Sequence, residues 1–398
     1  MQINGVESGQ ILTAVVSDLY RKAANPNFKF PLQIQVVDQA EVAKAIFMAP
    51  DVFVKNYGFM ESLCVGRFSA SGEDWKQRAA LTQSFYTQST VLLDETALVQ
   101  IYAHHLQAGL QSDRFDLFEI FINAALEVVS KSFGLPNTIP WPMDLVNKTR
   151  EALIDQQAMA WVGGTPEMME QSRQHLASIS AEFEALWQAD PALQALLSRL
   201  DTQATGIENF SAVGELLQNV FASTETTSSG LLWAIECMTR QGDLPLFKQA
   251  DQHVEELVIF LDEVLRVFTP VPYVSRVCKQ ATTINGMTFA ENEPIVISIV
   301  GVHSDPQYWH EPLLFKPRRQ EFIQASYPRH AYIPFISGPR VCAGMKLAKQ
   351  ELKCGMLALL DRFSVKPCNE PRGLEYGLAS RPSVKLEPYL IDRKAGVV

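Results

Sequence analysis

One cysteine, Cys342, stands in a short loop that strongly constrains what this chain can build. Phe335, Gly338, Arg340 and Gly344 flank it at fixed spacing, and a helical pattern of apolar residues follows directly. A thiolate needs a sheltered, electropositive position to resist protonation and oxidation. The start of a helix offers free N–H groups and the positive end of the helix dipole. The loop therefore predicts a functional thiolate placed at the beginning of a helix.

The residues around Cys342 suit a thiolate that binds haem iron. A thiolate ligand donates strongly to iron and favours cleavage of the O–O bond. Gly338 and Gly344 allow close backbone approach, and the Arg340 guanidinium suits a haem propionate. A lone cysteine is usually a buried structural residue, but the five residues at these spacings arise by chance in about one chain in ten thousand. The segment resembles the complete Phe-x-x-Gly-x-Arg-x-Cys-x-Gly signature of the cytochrome P-450 family of haem-thiolate monooxygenases.

Apolar periodicity predicts a mainly α fold with small β-sheets. The chain has 398 residues, 47% of them hydrophobic, and no linker or repeat divides it, so a single domain over 1–398 without a fused reductase is expected. Helices are predicted over 115–133, 208–240, 254–268 and 347–363, and strands over 32–37, 283–289 and 294–299. We expect the last two strands to form a hairpin-like unit. The resemblance implies the family's triangular helical prism, with haem between the long central helix and the helix after the Cys loop.

Composition and charge exclude several other classes of protein. The six cysteines show no zinc spacing, which favours reduced, intracellular thiols. No signal peptide opens the sequence and no run of about 20 apolar residues occurs, so a cytoplasmic protein without a membrane segment is predicted. The net charge of −10 argues against a nucleic-acid partner. No nucleophilic triad, P-loop or dinucleotide motif is present.

The long central helix contains a second signal at 222–227. Its hydroxyl-rich sequence weakens a helix and by itself is compatible with ordinary polar contacts. The segment is similar to the family's Ala/Gly-Gly-x-Asp/Glu-Thr-Thr motif. That match implies that Thr226 is the alcohol facing dioxygen and Glu225 its acid partner. Ala222 and Ser223 are implied to line the substrate pocket, and Ser223 replaces the glycine that is usual at its position.

The third signal is the pair Glu263 and Arg266, which share a helical face. An exposed pair of this kind is common and contributes little to stability. The pair and the segment after it resemble the family's Glu-x-x-Arg helix and the strand that follows. This implies a structural pair that supports the Cys loop. It also implies a propionate contact at Arg276 and substrate contacts at Val271 and Val274.

A fourth resemblance lies near the front of the chain. Trp75 and Arg78 are similar to the family's Trp-x-x-x-Arg propionate site, although the arginine here follows after three positions and not four. Spacings of three and four share a helical face. The resemblance therefore implies that both residues contribute to cofactor binding.

A basic stripe follows Cys342. Lys346, Lys349 and Lys353 fall on one helical face. This face is either an ordinary solvated surface or a docking site for an acidic electron donor of the ferredoxin or flavodoxin type.

The resemblance also implies an activity. It implies a monomer that uses haem b, dioxygen and externally supplied electrons to oxidise, most often to hydroxylate, a small organic substrate. Methionines and Trp161 in the expected entry regions favour an apolar or aromatic substrate. Oxidative coupling, dealkylation, desaturation and a non-catalytic haem sensor are the alternatives.

Overall fold

The structure is a computed structural model that describes residues 1–61, 63–242 and 244–393. The helices of eight or more residues are α1 Ser8–Ala24, α2 Ala40–Met48, α4 Gly72–Leu92, α5 Glu95–Leu110, α6 Leu117–Ser132, α7 Met143–Val162, α8 Pro166–Gln188, α9 Pro191–Gln203, α10 Ala212–Arg240, α12 Val254–Val267 and α15 Met345–Arg362. Short helical turns are α3 Gly58–Glu61, α11 Pro245–Lys248, α13 Ile299–Val302 and α14 Gln320–Ile323. The predicted predominance of helix is confirmed.

The strands are short, with two to six residues each. They are β1 Gln2–Ile3, β2 Val6–Glu7, β3 Gln35–Val37, β4 Phe53–Lys55, β5 Tyr273–Cys278, β6 Thr282–Ile284, β7 Met287–Phe289, β8 Pro294–Ser298, β9 Phe363–Val365, β10 Leu374–Tyr376, β11 Ser380–Pro382 and β12 Leu390–Asp392. The largest sheet has the strand order β3-β8-β5-β4. In it, β3 is parallel to β8, while β5 is antiparallel to both of its neighbours.

The predicted hairpin is partly wrong. Residues 282–289 form the two strands β6 and β7, whose tight turn is made by Asn285 at φ 48° and Gly286 at φ 84°. Two consecutive left-handed residues are what a two-residue hairpin turn requires. Strand β8 does not pair with β7; it lies in the large sheet between β3 and β5. Its alternating pattern revealed a strand but not its partner.

Helix α10 crosses the interior of the molecule, as its apolar faces predict. It begins at Ala212, four residues after the expected start, because the Ser211 side chain accepts a hydrogen bond from the Gly214 amide and caps the helix. Nearly every side chain from 212 to 239 is buried. Its main helical neighbours are α6 and α15.

Close backbone approach joins α10 to α15, the helix that follows the Cys loop. A Cβ at Gly355 would lie 3.0 Å from Leu231, and one at Gly230 would lie 2.9 Å from Leu352. The two glycines therefore let these helices pack at short range. The Cys loop lies immediately before α15, so this packing fixes its position relative to α10.

No helix in the described ranges has the length and apolar content needed to span a membrane.

Candidate active site at the Cys342 loop

The loop before α15 is held in a tight, specific shape. The Cys342 amide donates to the Phe335 carbonyl at 3.0 Å, and the Met345 amide donates to the Cys342 carbonyl at 3.3 Å. Gly338 has a φ of +73°, and a Cβ there would lie 2.3 Å from the Phe47 carbonyl oxygen. Any other residue at 338 would displace the loop from α2. Gly344 is different, since a Cβ there would meet only Tyr86, at 4.0 Å.

Cys342 lies where α15 begins, with Gly344 as the N-cap residue. Its side chain is accessible although protein groups surround it on most sides. Burial raises the pKa of the thiol, and the amides of Gly344 and Met345 and the charges of Lys55 and Arg67 oppose that rise. These donors and cations favour a thiolate.

Three cations converge beside this loop. Lys55 lies directly opposite Arg276 in the β4–β5 pairing, and both line a small cleft with Arg340. Arg276 is 3% exposed and Arg340 is 9% exposed. Among the described residues none of the three forms an ion pair with a carboxylate. Like charges placed opposite each other destabilise a sheet, so the cluster suits a ligand that carries negative charge.

The electrostatics of the cluster reflect this crowding. Burial, followed by the charges of Arg340 and Arg276, holds the pKa of Lys55 well below its usual range. Burial and then Arg276 lower the pKa of Arg340 to about 10. The Arg340 guanidinium stacks 4.4 Å from the Trp75 ring centre and donates to the Ala70 carbonyl at 2.7 Å. Lys55 was not found from the sequence, because a three-residue strand gives no signal of its register with β5.

One face of α10, called the open face below, is only partly buried. Between 212 and 239 only Ala222, Ser223 and Thr226 are not buried. Thr226 follows Ala222 by four positions and Ser223 by three, so it shares a helical face with each of them. The Thr226 hydroxyl donates to the Ala222 carbonyl at 2.8 Å, which leaves its oxygen lone pairs to accept from a ligand. The Ser223 hydroxyl makes no hydrogen bond to another described residue.

Glu225 points away from that face and is paired. Its carboxylate lies 2.5 Å from Nε of Arg150 on α7, and its side chain is 4% exposed. Burial raises the pKa of Glu225, while Arg150 and then Arg381 oppose the rise. Arg150 was missed from the sequence, since nothing local connects two helices that lie far apart along the chain.

Glu263 and Arg266 form a fully buried pair with a third member. Glu263 accepts from Arg266 at 2.7 and 3.0 Å and from Nε of Arg319 at 2.7 Å. The side chains are at most 1% exposed. The neighbouring Arg318, in contrast, is 64% exposed and lies 3.5 Å from Glu256. The alternative interpretation, in which Glu263 and Arg266 form an ordinary exposed ion pair, is therefore wrong.

His303 connects this triad to the Cys loop. Its Nδ1 lies 3.0 Å from the Arg266 carbonyl, and its Nε2 accepts from the Ile333 amide at 2.8 Å. Burial lowers the pKa of His303 to about 3, so the ring is neutral and Nδ1 donates. The triad thus holds the segment that leads into Phe335.

Comparison with known proteins agrees with this arrangement. The family model described as "Cytochrome P450" matches residues 248–382, which include the triad, Arg276 and the Cys loop. Over that segment the match supports membership of the cytochrome P450 family.

Relatives and solved structures extend the likeness. The chain is 33% identical to human cytochrome P450 3A5 over 167 residues and 32% identical to mouse cytochrome P450 3A13 over 168. Each match covers 38% of this chain but only 33% of the relative's own length. A six-coordinated cytochrome P450 from Thermus thermophilus superposes with a TM-score of 0.68 at 19% identity, covering 95% of this chain and 97% of that one. CYP175A1 from another strain of the same bacterium gives 0.71 at 19% identity, covering 94% of each chain. The fold is therefore the cytochrome P450 fold.

Arg78 does not lie in the cation cluster. Its side chain is 0% exposed, and it donates to Asp74, to the Val65 and Glu208 carbonyls and, at 3.4 Å, to Glu215. These bonds engage all of its nitrogen atoms, so the prediction that Arg78 binds the cofactor is corrected to a structural role between α4 and α10. Trp75 remains at the site through its contact with Arg340.

The predicted basic stripe is mostly neutralised. Lys349 pairs with Asp262 at 2.9 Å, and Lys353, only 14% exposed, pairs with Glu95. Lys346 is exposed and forms no ion pair with a described residue. The stripe therefore offers one unpaired charge beside the Cys loop and not three.

The two valines predicted at the substrate side differ from each other. Val274 is 3% exposed and packs in the core between α2 and the large sheet. Val271 is only partly buried beside the same core. Val271 is therefore the better placed of the two to meet a ligand.

Proposed function

We propose that this chain is a cytochrome P450, a haem-thiolate monooxygenase that oxidises a small organic substrate. The observation that carries the proposal is the placement of the Cys342 thiol at the start of α15 beside buried cations that lack carboxylate partners in the described part of the chain. The thiol fits the iron of haem b, and the cations fit its two propionates. Arg276, Arg340 and Lys55 would hold those propionates, with Trp75 packed on Arg340. Haem bound at Cys342 would supply the activation of dioxygen.

The central helix supports this chemistry with a hydroxyl and a carboxyl group. Thr226 stands on the open face of α10, and its oxygen can accept a hydrogen bond there. Glu225 is adjacent but is held in an ion pair by Arg150. When that pair opens, the carboxylate can take up a proton from solvent and pass it toward Thr226. The raised pKa of Glu225 brings the carboxyl closer to the range useful for general acid catalysis.

Electrons reach the site, in this proposal, from a separate donor of the ferredoxin or flavodoxin type. Lys346 is the exposed cation closest in sequence to Cys342, and Val341 and Met345 beside it are 42% and 39% exposed. An apolar patch with a charge at its rim is a common composition for a transient docking surface.

Reversing the charge at Lys346 is expected to slow reduction by such a donor. In stopped-flow reduction with a bacterial ferredoxin at low salt, Lys346→Glu should lower the second-order rate about three- to tenfold, and the difference should shrink as ionic strength rises. Lys346→Arg keeps the charge and serves as the control. Equal rates for all three proteins would exclude Lys346 from the docking surface.

Two measurements test the proposed reaction. The reduced carbon-monoxide complex should show the red-shifted Soret band of thiolate ligation, and product formed under labelled dioxygen should contain the label. Oxidative coupling or desaturation would give product without label, and dealkylation would show a shortened substrate. A haem sensor would consume no NAD(P)H above background with a ferredoxin system and candidate substrates.

Arg276 and Arg78 should respond differently to the same substitution. Arg276→Met removes a charged partner of a propionate and should accelerate haem loss to a scavenging globin about ten- to a hundredfold. Arg78→Met removes the ion-pair partner of the buried Glu215, and should lower the free energy of unfolding in urea by about 3–5 kcal/mol. If Arg78→Met instead sped haem loss without changing the unfolding midpoint, Arg78 would be the propionate ligand.

A further inference from the structure

A stripe of residues along α10 faces the helix that follows Cys342. Asn219, Ser223, Thr226 and Gly230 recur at spacings of four, three and four, which places them on one side of the helix. At one end of the stripe, Gly230 packs against α15, since a Cβ on that glycine would lie 2.9 Å from the Leu352 side chain. This end of the stripe therefore faces α15 directly.

The other end of the stripe is joined to the Cys loop by Tyr86 of α4. The Tyr86 hydroxyl donates to Oδ1 of Asn219, and its ring lies 4.0 Å from where a Cβ on Gly344 would be. Asn219 is 6% exposed. Both ends of the stripe are thus filled by protein groups that connect α10 to the first half of α15 and the loop before it.

The middle of the stripe is not filled. Ser223 and Thr226 are partly exposed, although each lies one turn from a packed residue at an end of the stripe. Because those ends face Gly344 and α15, the free space beside Ser223 lies on the side of α10 that faces the beginning of α15, next to Cys342. The arrangement leaves room for a small ligand between Cys342 and the open face of α10.

The two hydroxyls in this gap differ in what they offer to a ligand. Thr226 donates its proton to the Ala222 carbonyl at 2.8 Å, and the buried Thr224 donates to the Val220 carbonyl at 2.9 Å. Ser223 makes no such bond to its own helix, and its hydroxyl has no partner in the described part of the chain. The gap therefore presents a free donor at Ser223 and an acceptor at Thr226.

We propose that Ser223 donates a hydrogen bond to the small ligand that occupies this gap, and so favours ligands with an accepting atom. The proposal rests on the proposed function, because haem iron held by Cys342 would keep such a ligand in the gap. It adds a donor that Thr226 does not provide. Anionic ligands gain most, since hydrogen bonds to charged acceptors are the stronger ones.

Binding of cyanide and pyridine to the ferric, haem-loaded protein, followed by the shift of the Soret band, tests this donor. Iron-bound cyanide still has an accepting nitrogen, whereas iron-bound pyridine has used its only nitrogen lone pair on the metal. Ser223→Ala should weaken cyanide binding at least about threefold, as expected for the loss of one hydrogen bond, and should not weaken pyridine binding.

Two further variants separate the hydrogen bond from packing. Ser223→Gly also lacks the hydroxyl but leaves more space, and it should show the same loss of cyanide affinity. Thr224→Val is the matched control, because it removes a hydroxyl of the same helix that is buried and bonded to the Val220 carbonyl. It should bind cyanide like the unaltered protein.

The C–O stretching band of the reduced carbon-monoxide complex is a readout that does not depend on affinity. A donor to the ligand oxygen draws electron density into the C–O antibonding orbitals and lowers the frequency. Ser223→Ala and Ser223→Gly should therefore shift the infrared band to higher wavenumber, whereas Thr224→Val should leave it in place.

The outcomes separate this proposal from the proposed function. Loss of cyanide affinity below threefold, a loss in only one of the two Ser223 variants, equal weakening of pyridine, or an unmoved C–O band would each overturn the role of Ser223. A red-shifted Soret band with unchanged cyanide affinity would refute that role alone. An unshifted Soret band, together with weaker cyanide binding in both Ser223 variants, would refute only the thiolate ligation on which the proposed function depends.

Discussion

Replacing Cys342 with alanine is expected to abolish the red-shifted Soret band of the reduced carbon-monoxide complex and to reduce product formation to background. The reason is local, because Cys342 is the cysteine that lies between the amides of Gly344 and Met345 and the charges of Lys55 and Arg67. The loop should keep its shape, since Gly338 and the hydrogen bond from residue 342 to the Phe335 carbonyl do not involve the sulfur. The measurement is the difference spectrum of the purified protein.

Cys354→Ala provides the matched control. Cys354 lies on α15, the helix that follows Cys342, but is fully buried in the main core, where a small loss of packing costs about 1 kcal/mol or less. It should keep the red-shifted band and nearly the unaltered rate. Retention of the band by Cys342→Ala, or its loss in Cys354→Ala, would place the iron ligand elsewhere.

The parts of the site that the sequence predicts are those encoded by contiguous residues. The Cys loop, the hydroxyl segment at 222–227 and the pair Glu263 and Arg266 each occupy about ten residues or fewer, and short-range spacing determines which helical face they share. Helix α15 begins two residues before the predicted start, at Met345, and α12 begins at the predicted residue.

Contacts between distant segments were not predictable in the same way. Lys55 meets Arg276 through strand register, and Arg150 meets Glu225 through helix packing, so neither contact leaves a local pattern. Arg319 and Arg318 are neighbours of identical type, and only the fold decides which one turns inward to Glu263. Similarly, Lys349 looks like a free surface charge until packing brings Asp262 beside it.

Glu263→Gln is expected to lower the free energy of unfolding by about 3–5 kcal/mol, because it leaves the buried Arg266 guanidinium without its counter-charge and leaves Arg319 with its 3.3 Å contact to Glu321. Glu263 also accepts from the Lys316 amide at 2.9 Å, so it joins α12 to the segment that precedes the Cys loop. The amide keeps the size of the side chain but loses its charge. The decrease in the free energy of unfolding therefore reports electrostatics more than packing. Urea unfolding followed by far-ultraviolet circular dichroism measures this decrease.

Glu256→Gln, on the same helix, is the control. Its side chain is 32% exposed and lies 3.5 Å from the exposed Arg318, so its ion pair is worth well under about 1 kcal/mol. The two variants make the same chemical change on one helix and differ mainly in burial. If both unfolded at the same urea concentration as the unaltered protein, the triad would not stabilise the fold. If Glu263→Gln lost haem faster while its unfolding was unchanged, the triad would act only on the loop, through Arg266, His303 and the Ile333 amide.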